Sequence, residues 1–481
     1  MKKLSIALLI LTVFSMGTMA QSEVDALRYS RLNYAGTARF VALGGAFGAL
    51  GADFTTLSHN PAGIGLYKSS EISITPSFYI GKTEATYNGN FRDDSRYNFN
   101  LGNVGIVMAS SPVSRNPQSL WKNVQFGFGI NRMANFNNRI MIEGANTTSS
   151  YLTPYLDNAQ GVNPNDLGAY NTRLAYDADL LFVTDSSTWT YGIDKPAGGV
   201  TQRKSIETSG SLNEMVFTVG ANYGDKLYLG ATIGVPYIRY TETSTYTETA
   251  LADDNSVFNS MTRTDKLETS GTGLNFKFGI IYRATDWLRL GGAIHTPTFY
   301  TGVADNWEAT IKSRFDNDFT LTARSPEGFY EYDLTTPMRA IGSIGIIIGK
   351  AGVISADYEY VDYSTARLRA QDYDFNAENE AIRTSYISAG NLRLGTEWRY
   401  GSLNFRGGYS LSANPYEIST DSKNSAYSLG LGIREKSFFI DMAWVYSQQD
   451  DEYYLYSADY VKPALTSLKN NMFLLTIGVK Y

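Results

Sequence analysis

Phe438-Phe439-Ile440-Asp441-Met442-Ala443-Trp444-Val445-Tyr446 is the stretch on which the fold turns. In an extended chain successive side chains point to opposite faces. Phe438, Ile440, Met442, Trp444 and Tyr446 then share one apolar face, while Phe439, Asp441, Ala443 and Val445 share the other. The same period governs Tyr427, Leu429, Leu431 and Ile433 against Ser428, Gly430, Gly432 and Arg434. It returns in Leu392, Leu394, Thr396, Trp398 and Tyr400 against Arg393, Gly395, Glu397 and Arg399. The chain ends on it, with Phe473, Leu475, Ile477, Val479 and Tyr481 alternating with Leu474, Thr476, Gly478 and Lys480. From about Glu71 onward the chain is a series of such strands.

Alternation alone does not name the solvent, because soluble sandwiches alternate too. Three features point to lipid. Aromatic residues such as Tyr400, Tyr446 and Tyr481 crowd the strand ends, as interfacial girdles require. Strands of ten residues or more are long enough to cross a bilayer at a tilt. Short and long connections alternate strictly. Fourteen candidate strands follow, near 70–88, 95–110, 122–138, 200–224, 226–246, 258–284, 287–312, 330–349, 351–369, 386–400, 402–414, 425–435, 437–449 and 471–481. The expected fold is all-β: a transmembrane antiparallel β-barrel over 69–481, with short turns in the periplasm and long loops outside.

Composition excludes most other classes. Among 481 residues there are 35 Tyr, 24 Phe and 44 Gly, but two His and no Cys. Thiolate chemistry and disulfides are therefore excluded, and a multi-histidine metal centre is not expected. A net charge of −6 with no basic run argues against nucleic acid as a partner. No serine–histidine–acid arrangement is legible, so the protein is read as a non-enzyme without a cofactor. Lys2 and Lys3, the apolar run Leu4–Phe14 and the small residues ending at Ala20 read as a signal peptide over 1–20. The expected destination is the outer membrane of a Gram-negative cell, with the lipid bilayer as the constant partner.

Residues 21–68 do not alternate. They contain Gly44-Gly45-Ala46-Phe47-Gly48-Ala49-Leu50-Gly51-Ala52-Asp53, followed by Ser58-His59-Asn60-Pro61-Ala62-Gly63. Small residues permit close backbone approach and Asn-Pro opens a fixed turn. By composition this segment is either a plug in the lumen or a periplasmic tail. The long connection 139–199 carries Leu167, Tyr170, Leu174, Ala178 and Leu181 at helical spacing, which predicts an amphipathic helix above the barrel mouth. Such a helix either packs on neighbouring loops or offers an apolar groove to a hydrophobic ligand.

The stretch Gly44–Leu66, with Asp53 and Asn60-Pro61-Ala62-Gly63, resembles the N-terminal hatch signature of the FadL/TodX-type outer-membrane transporters. The likeness continues at Gly273–Pro297, Thr336-Pro337, Asp357-Tyr358, Gly395–Tyr409 and Pro415. That resemblance implies a fourteen-stranded barrel and a small lumenal hatch over 21–68, in which Asp53, His59, Asn60, Pro61, Ala62 and Gly63 form the motif. It implies passive uptake of hydrophobic small molecules, long-chain fatty acids first, with lateral release through a kink in the third strand. Haem or aromatic-compound uptake, a polar diffusion pore and an adhesin are the alternatives. In the third strand Val124, Phe126, Phe128 and Ile130 face one way, and Arg132 then takes the same, lipid-facing parity. Either a bulge near Asn131 repairs this, or the strand has already left the membrane.

Asp357, Glu359, Arg393, Glu397, Arg399, Arg406, Arg434 and Asp441 take the lumenal parity. They form a paired network, or else an arginine, such as Arg393, Arg406 or Arg434, lies on the substrate path, where Arg393 or Arg406 would grip a substrate carboxylate with two hydrogen bonds. His295 faces inward and His59 adjoins the Asn-Pro turn. The terminal strand Met472–Tyr481 ends on an aromatic residue, which resembles the signal read by the barrel-assembly machinery.

Overall fold

The computed structural model describes residues 22–110, 119–196, 198–251, 257–417 and 424–481. The expected signal peptide lies outside the described residues. Fourteen antiparallel spans close into one barrel. They are β1 (Glu71–Tyr87), β2 (Asn90–Ala109), β3 (Trp121–Asn135, resuming at Asn138–Asn146), β4 (Val200–Tyr223), β5 (Leu227–Ala250), β6 (Phe258–Arg283) and β7 (Leu288–His295, resuming at Phe299–Phe315). After these come β8 (Gly328–Thr335, resuming at Arg339–Ile348), β9 (Gly352–Asp362, resuming at Arg367–Arg369), β10 (Ser388–Tyr400), β11 (Leu403–Ser412), β12 (Asn424–Arg434), β13 (Phe438–Tyr453) and β14 (Ala464–Lys480). Neighbours in this order pair, and β14 pairs back onto β1, with Lys480 opposite Glu71 and Leu465 opposite Thr86.

The strand that decided the reading behaves as its period requires. Phe438, Ile440 and Met442 are exposed on the outer surface, while Asp441 is fully buried inside. Leu429, Leu431, Ile433, Phe405 and Phe473 extend the same outer band. Trp121, Trp287, Trp398, Tyr400 and Tyr481 mark the short-turn end and are all exposed. A closed barrel whose apolar residues face outward is built to sit in lipid, because closure satisfies every strand's backbone without water.

Four strands break where the pattern did not ask for it, β9 at a 3₁₀ turn over Tyr363–Thr365. β7 breaks at Thr296-Pro297-Thr298 and β8 at Thr336-Pro337-Met338, since proline cannot donate to a ladder. The flanking threonines mend the loss: Phe276 N donates to Thr296 Oγ1 and Thr298 N to Thr336 Oγ1, each at 3.0 Å. β3 breaks at Phe136-Asn137. There Phe136 N donates to Gly210 O, and the Asn137 side chain donates to the same carbonyl at 3.2 Å. Gly210 has φ +113°, a conformation open to glycine, and an added Cβ would lie 2.0 Å from Arg239 O.

The expected alternation of short and long connections is not strict. β1 and β2 are joined at the long-loop end by Asn88-Gly89 alone, both with positive φ, the requirement of a tight hairpin. Nor does the insertion begin at 139. Residues Asn138–Asn146 continue β3 by pairing with Thr208 to Val200 of β4.

The helix expected from Leu167 to Leu181 is shorter. Helix forms only over Thr172–Asp177, started by the Asn171 side chain accepting from Thr172 N and ended by Asp179 at φ +54°. The apolar positions still converge: Leu167, Leu174, Ala178 and Leu181 are buried in one cluster with Leu152 and Tyr155 of a second helix, Leu152–Ala159.

Lipid placement yields a direct test. Leu431 is exposed between Phe405 and Met442 on the neighbouring strands. Leu431→Lys should lower the unfolding free energy in vesicles by about 2–4 kcal/mol near the bilayer midplane. Thr245→Lys, on the outer face of β5 well beyond the apolar band, should cost less than about 1 kcal/mol. Urea titration of both variants reads the difference.

Candidate functional site

Residues 22–68 lie against the inner faces of the strands. Three short helices, α1 (Glu23–Ser30), α2 (Ala38–Ala42) and α3 (Thr56–His59), are followed by a 3₁₀ turn over Pro61–Leu66. Thr37 caps α2 through a side chain that accepts from Phe40 N. Burial pushes the Asp25 carboxyl of α1 up, against the pull of Arg28.

Asp53 is the internal staple of the segment. Its carboxylate accepts from Thr37 Oγ1 at 2.7 Å and from Thr55 N at 3.0 Å, while Thr37 N donates to Thr55 Oγ1 at 2.8 Å. Asn60 fixes the following turn. Its Oδ1 accepts from Ala62 N at 3.1 Å, and its Nδ2 donates to Gly48 O at 2.6 Å and to Ile280 O of β6 at 3.3 Å. Pro61 opens the 3₁₀ turn, where a missing N–H costs nothing. Gly63 N donates to Asn60 O, and Gly63 O accepts from Ala52 N, both at 2.9 Å. Gly279 of β6 is glycine because a Cβ would lie 2.0 Å from Asn60 Oδ1, and Gly230 of β5 because one would lie 2.2 Å from Pro61.

Asp357 of β9 anchors the segment to the wall. Its Oδ2 accepts from Phe47 N at 2.9 Å and Gly48 N at 2.8 Å, and lies 2.8 Å from His59 Nε2. His295 of β7 places its Nε2 2.8 Å from His59 O. Both histidines are thus occupied in joining segment to barrel, with fully buried rings. Sequence reading placed Asp357 in the lumen but did not single it out, since two of its three partners are backbone amides and the third, His59, lies 298 residues away.

Of the four arginines read as lumenal, Arg406 and Arg434 join a chain of ion pairs, Arg393 a separate cluster, and Arg399 is exposed. Arg39 of α2 meets Glu397 through Nε at 2.8 Å and Nη2 at 3.0 Å. Arg406 joins Glu397 at 2.6 Å to Asp441 at 2.7 Å, and Arg434 closes on Asp441 at 2.6 Å. Arg393 pairs with Glu359 at 3.2 Å, which also takes Arg339 at 3.1 Å and Asn391 at 2.8 Å. Among the described residues no group of three or more His, Asp or Glu is placed to hold a metal.

The wall itself has an opening in its ladder. β2 pairs with β3 only from Ala109 opposite Gln125 to Asn103 opposite Asn131, although β2 continues to Asn90. Asn131 is fully buried at that parting, and its Nδ2 donates to Ser58 Oγ at 2.9 Å. The register of β3 against β4 shifts between Arg132 and Ala134. Where β2 has left, the N-terminal segment takes its place: Ala35 N donates to Arg132 O at 3.1 Å and Asn33 N to Met133 O at 2.7 Å. Farther out, side chains rather than a ladder span the seam, with Arg92 on Glu143 at 2.6 Å and Asn90 Nδ2 donating to Glu143 O at 3.0 Å.

Solved structures share this architecture. The toluene transporter TodX of Pseudomonas putida aligns at TM-score 0.56 and 11% identity, covering 93% of this chain and 99% of its own. A Pseudomonas aeruginosa FadL homologue aligns at 0.55 and 12%, covering 92% and 98%. The monoaromatic hydrocarbon channel CymD aligns at 0.51 and 11%, covering 93% and 98%. At such identities the likeness shows the fold, a closed fourteen-stranded barrel. No protein-family profile and no curated protein matches the sequence.

The anchor predicts a local effect. Asp357→Ala leaves the Phe47 and Gly48 amides without their buried acceptor, so local opening of residues 40–50 should become easier by about 2–3 kcal/mol. Hydrogen exchange followed by mass spectrometry should show faster exchange there, with the strands of the barrel still protected.

Proposed function

We propose that this protein carries hydrophobic small molecules passively across the outer membrane of a Gram-negative cell, with residues 22–68 acting as the hatch. The observation that carries the reading is the parted seam between β2 and β3, filled by Asn33 and Ala35 instead of by a strand. Displacing those residues would open a sideways path from lumen to lipid at Asn131, Arg132 and Met133. No chemical step and no cofactor is needed. The driving free energy is burial of apolar ligand surface, about 0.8 kcal/mol per methylene. On this reading Tyr481 marks the chain for the barrel-assembly machinery, and the short-turn end faces the periplasm.

Long-chain fatty acids are the substrate implied by the sequence resemblance. Uncharged hydrophobic compounds are the second reading, favoured by one observation: Arg393, Arg406 and Arg434 each already hold a protein carboxylate.

Uptake of oleate and of toluene in a Gram-negative host lacking its own fatty-acid transporter tests both. The intact protein should raise uptake of at least one of them. Deleting 60–63 should return uptake to the host background and raise ion conductance in planar bilayers, because an unseated hatch leaves a wet lumen. A barrel that folds in the outer membrane and accelerates neither compound would overturn the proposal.

A further inference from the structure

Above α1 a cavity of about 180 Å³ lies between the inner faces of β5, β6 and β7 and the insertion. Its apolar walls are Trp307 of β7, Leu267 of β6 and Tyr170 of the insertion. The Tyr170 and Trp307 rings stand 5.8 Å apart, inclined at 47°, so they form a corner rather than a closed stack. Gly328, opposite Trp307 on β8, leaves room for the indole to lie across the strand, since a Cβ there would fall 2.1 Å from the ring.

Charged groups border the same space, and nearly all of them are spent. Arg263 holds Asp265 through Nε at 2.8 Å and donates from Nη1 to Tyr155 Oη at 2.6 Å. Lys266 and Glu308 pair with each other at 2.6 Å. Glu242 is different. One carboxylate oxygen accepts from Tyr240 Oη, and the nearest cation is Arg28 of α1 at 3.9 Å, itself bonded to Asp25. The Glu242 side chain keeps 29% exposure. Arg28 also lies over the Tyr240 ring at 4.3 Å, so the hatch ends directly beside this carboxylate.

We infer that this cavity is a binding site for a ring-bearing amphiphile with a cationic or hydrogen-bond-donating end, its ring against Trp307 and Tyr170 and its donor on Glu242. A cation or N–H on a carboxylate gains a charge-assisted bond. An ammonium beside two aromatic faces gains further from their negative quadrupoles. A carboxylate ligand would meet Glu242 as a like charge. The inference rests on the transport reading, since it names what waits above the hatch.

Calorimetric titration of the intact protein in uncharged detergent with phenethylamine, 2-phenylethanol and 3-phenylpropionate tests it. Phenethylamine should bind roughly tenfold or more tighter than 3-phenylpropionate, with 2-phenylethanol between them. Glu242→Gln should abolish the preference for the ammonium, and Trp307→Ala should weaken all three. Thr245→Ser, on the outer face of β5, should change nothing. Equal affinity for amine and carboxylate, a preference that survives Glu242→Gln, or no binding by any of the three would overturn the site. Oleate and toluene uptake by cells carrying the intact protein report on the transport reading alone, so the two failures are separable.

Discussion

Hydrocarbon offers no partner to a backbone amide, and that constraint shapes the whole molecule. Fourteen strands satisfy it by closing on one another, Lys480 against Glu71 sealing the ring. Where β2 and β3 part beyond Asn103 and Asn131 the ladder can no longer do so. Asn33 and Ala35 supply the missing donors to Met133 O and Arg132 O. The N-terminal segment is therefore more than contents of the lumen. It completes the wall at the position where, on the proposed reading, a hydrophobic compound would leave sideways.

The barrel was legible because a period of two is a local property. Each strand of 425–435 or 437–449 announces its two faces without reference to its neighbours, so strand number and the buried position of Asp441 follow from sequence. The break at Phe136-Asn137 was not legible. It depends on Gly210, more than seventy residues away, adopting a backbone in which its carbonyl serves both Phe136 and Asn137. The helix of the insertion shows the same limit. Apolar spacing marked Leu167, Leu174, Ala178 and Leu181 as buried, while Tyr170 stays partly exposed, and Asn171 and Asp179 fixed the helix ends by local capping and positive φ. The Asn60 turn could be recognised from its residues, whereas the anchor on Asp357 could not, because bonds to the Phe47 and Gly48 amides leave no pattern in sequence and the His59 contact joins residues 298 apart.

The charges of the lumen are held largely by one another. A run of charges from Arg39 through Glu397, Arg406 and Asp441 to Arg434 is closed on itself. Buried pairs of this kind gain little net stability against apolar packing, yet removing one partner strands the other at considerable cost. Their effect here is positional. Arg39 couples α2 to β10 by two parallel hydrogen bonds, which fixes the N-terminal segment in orientation as well as depth. The same pairing commits Arg406 and Arg434 to protein carboxylates, and leaves Arg406 Nη2 and Arg434 Nε as buried donors without a protein partner.

Those anchors are unevenly spread, and the unevenness bears on how the hatch would move. From Thr37 to Asn60 the segment is held by Asp53 within and by Glu397 and Asp357 from the wall. At Ser30 it is held by Arg339 on the carbonyl oxygen. Between Ser30 and Thr37 the contacts with the parted seam are two backbone hydrogen bonds, and Tyr34 packs edge-on to His59 at 5.6 Å. Each such hydrogen bond is worth about 1 kcal/mol net, against several for a buried ion pair broken on one side. Local displacement of residues 31–36 therefore costs far less than withdrawing the segment whole. On the proposed reading, a gate that swung between two fixed posts, with Asn60 and Asp357 undisturbed, would open the seam while the lumen below remained plugged. Such a barrel would release a hydrophobic compound into the membrane without becoming a water-filled pore.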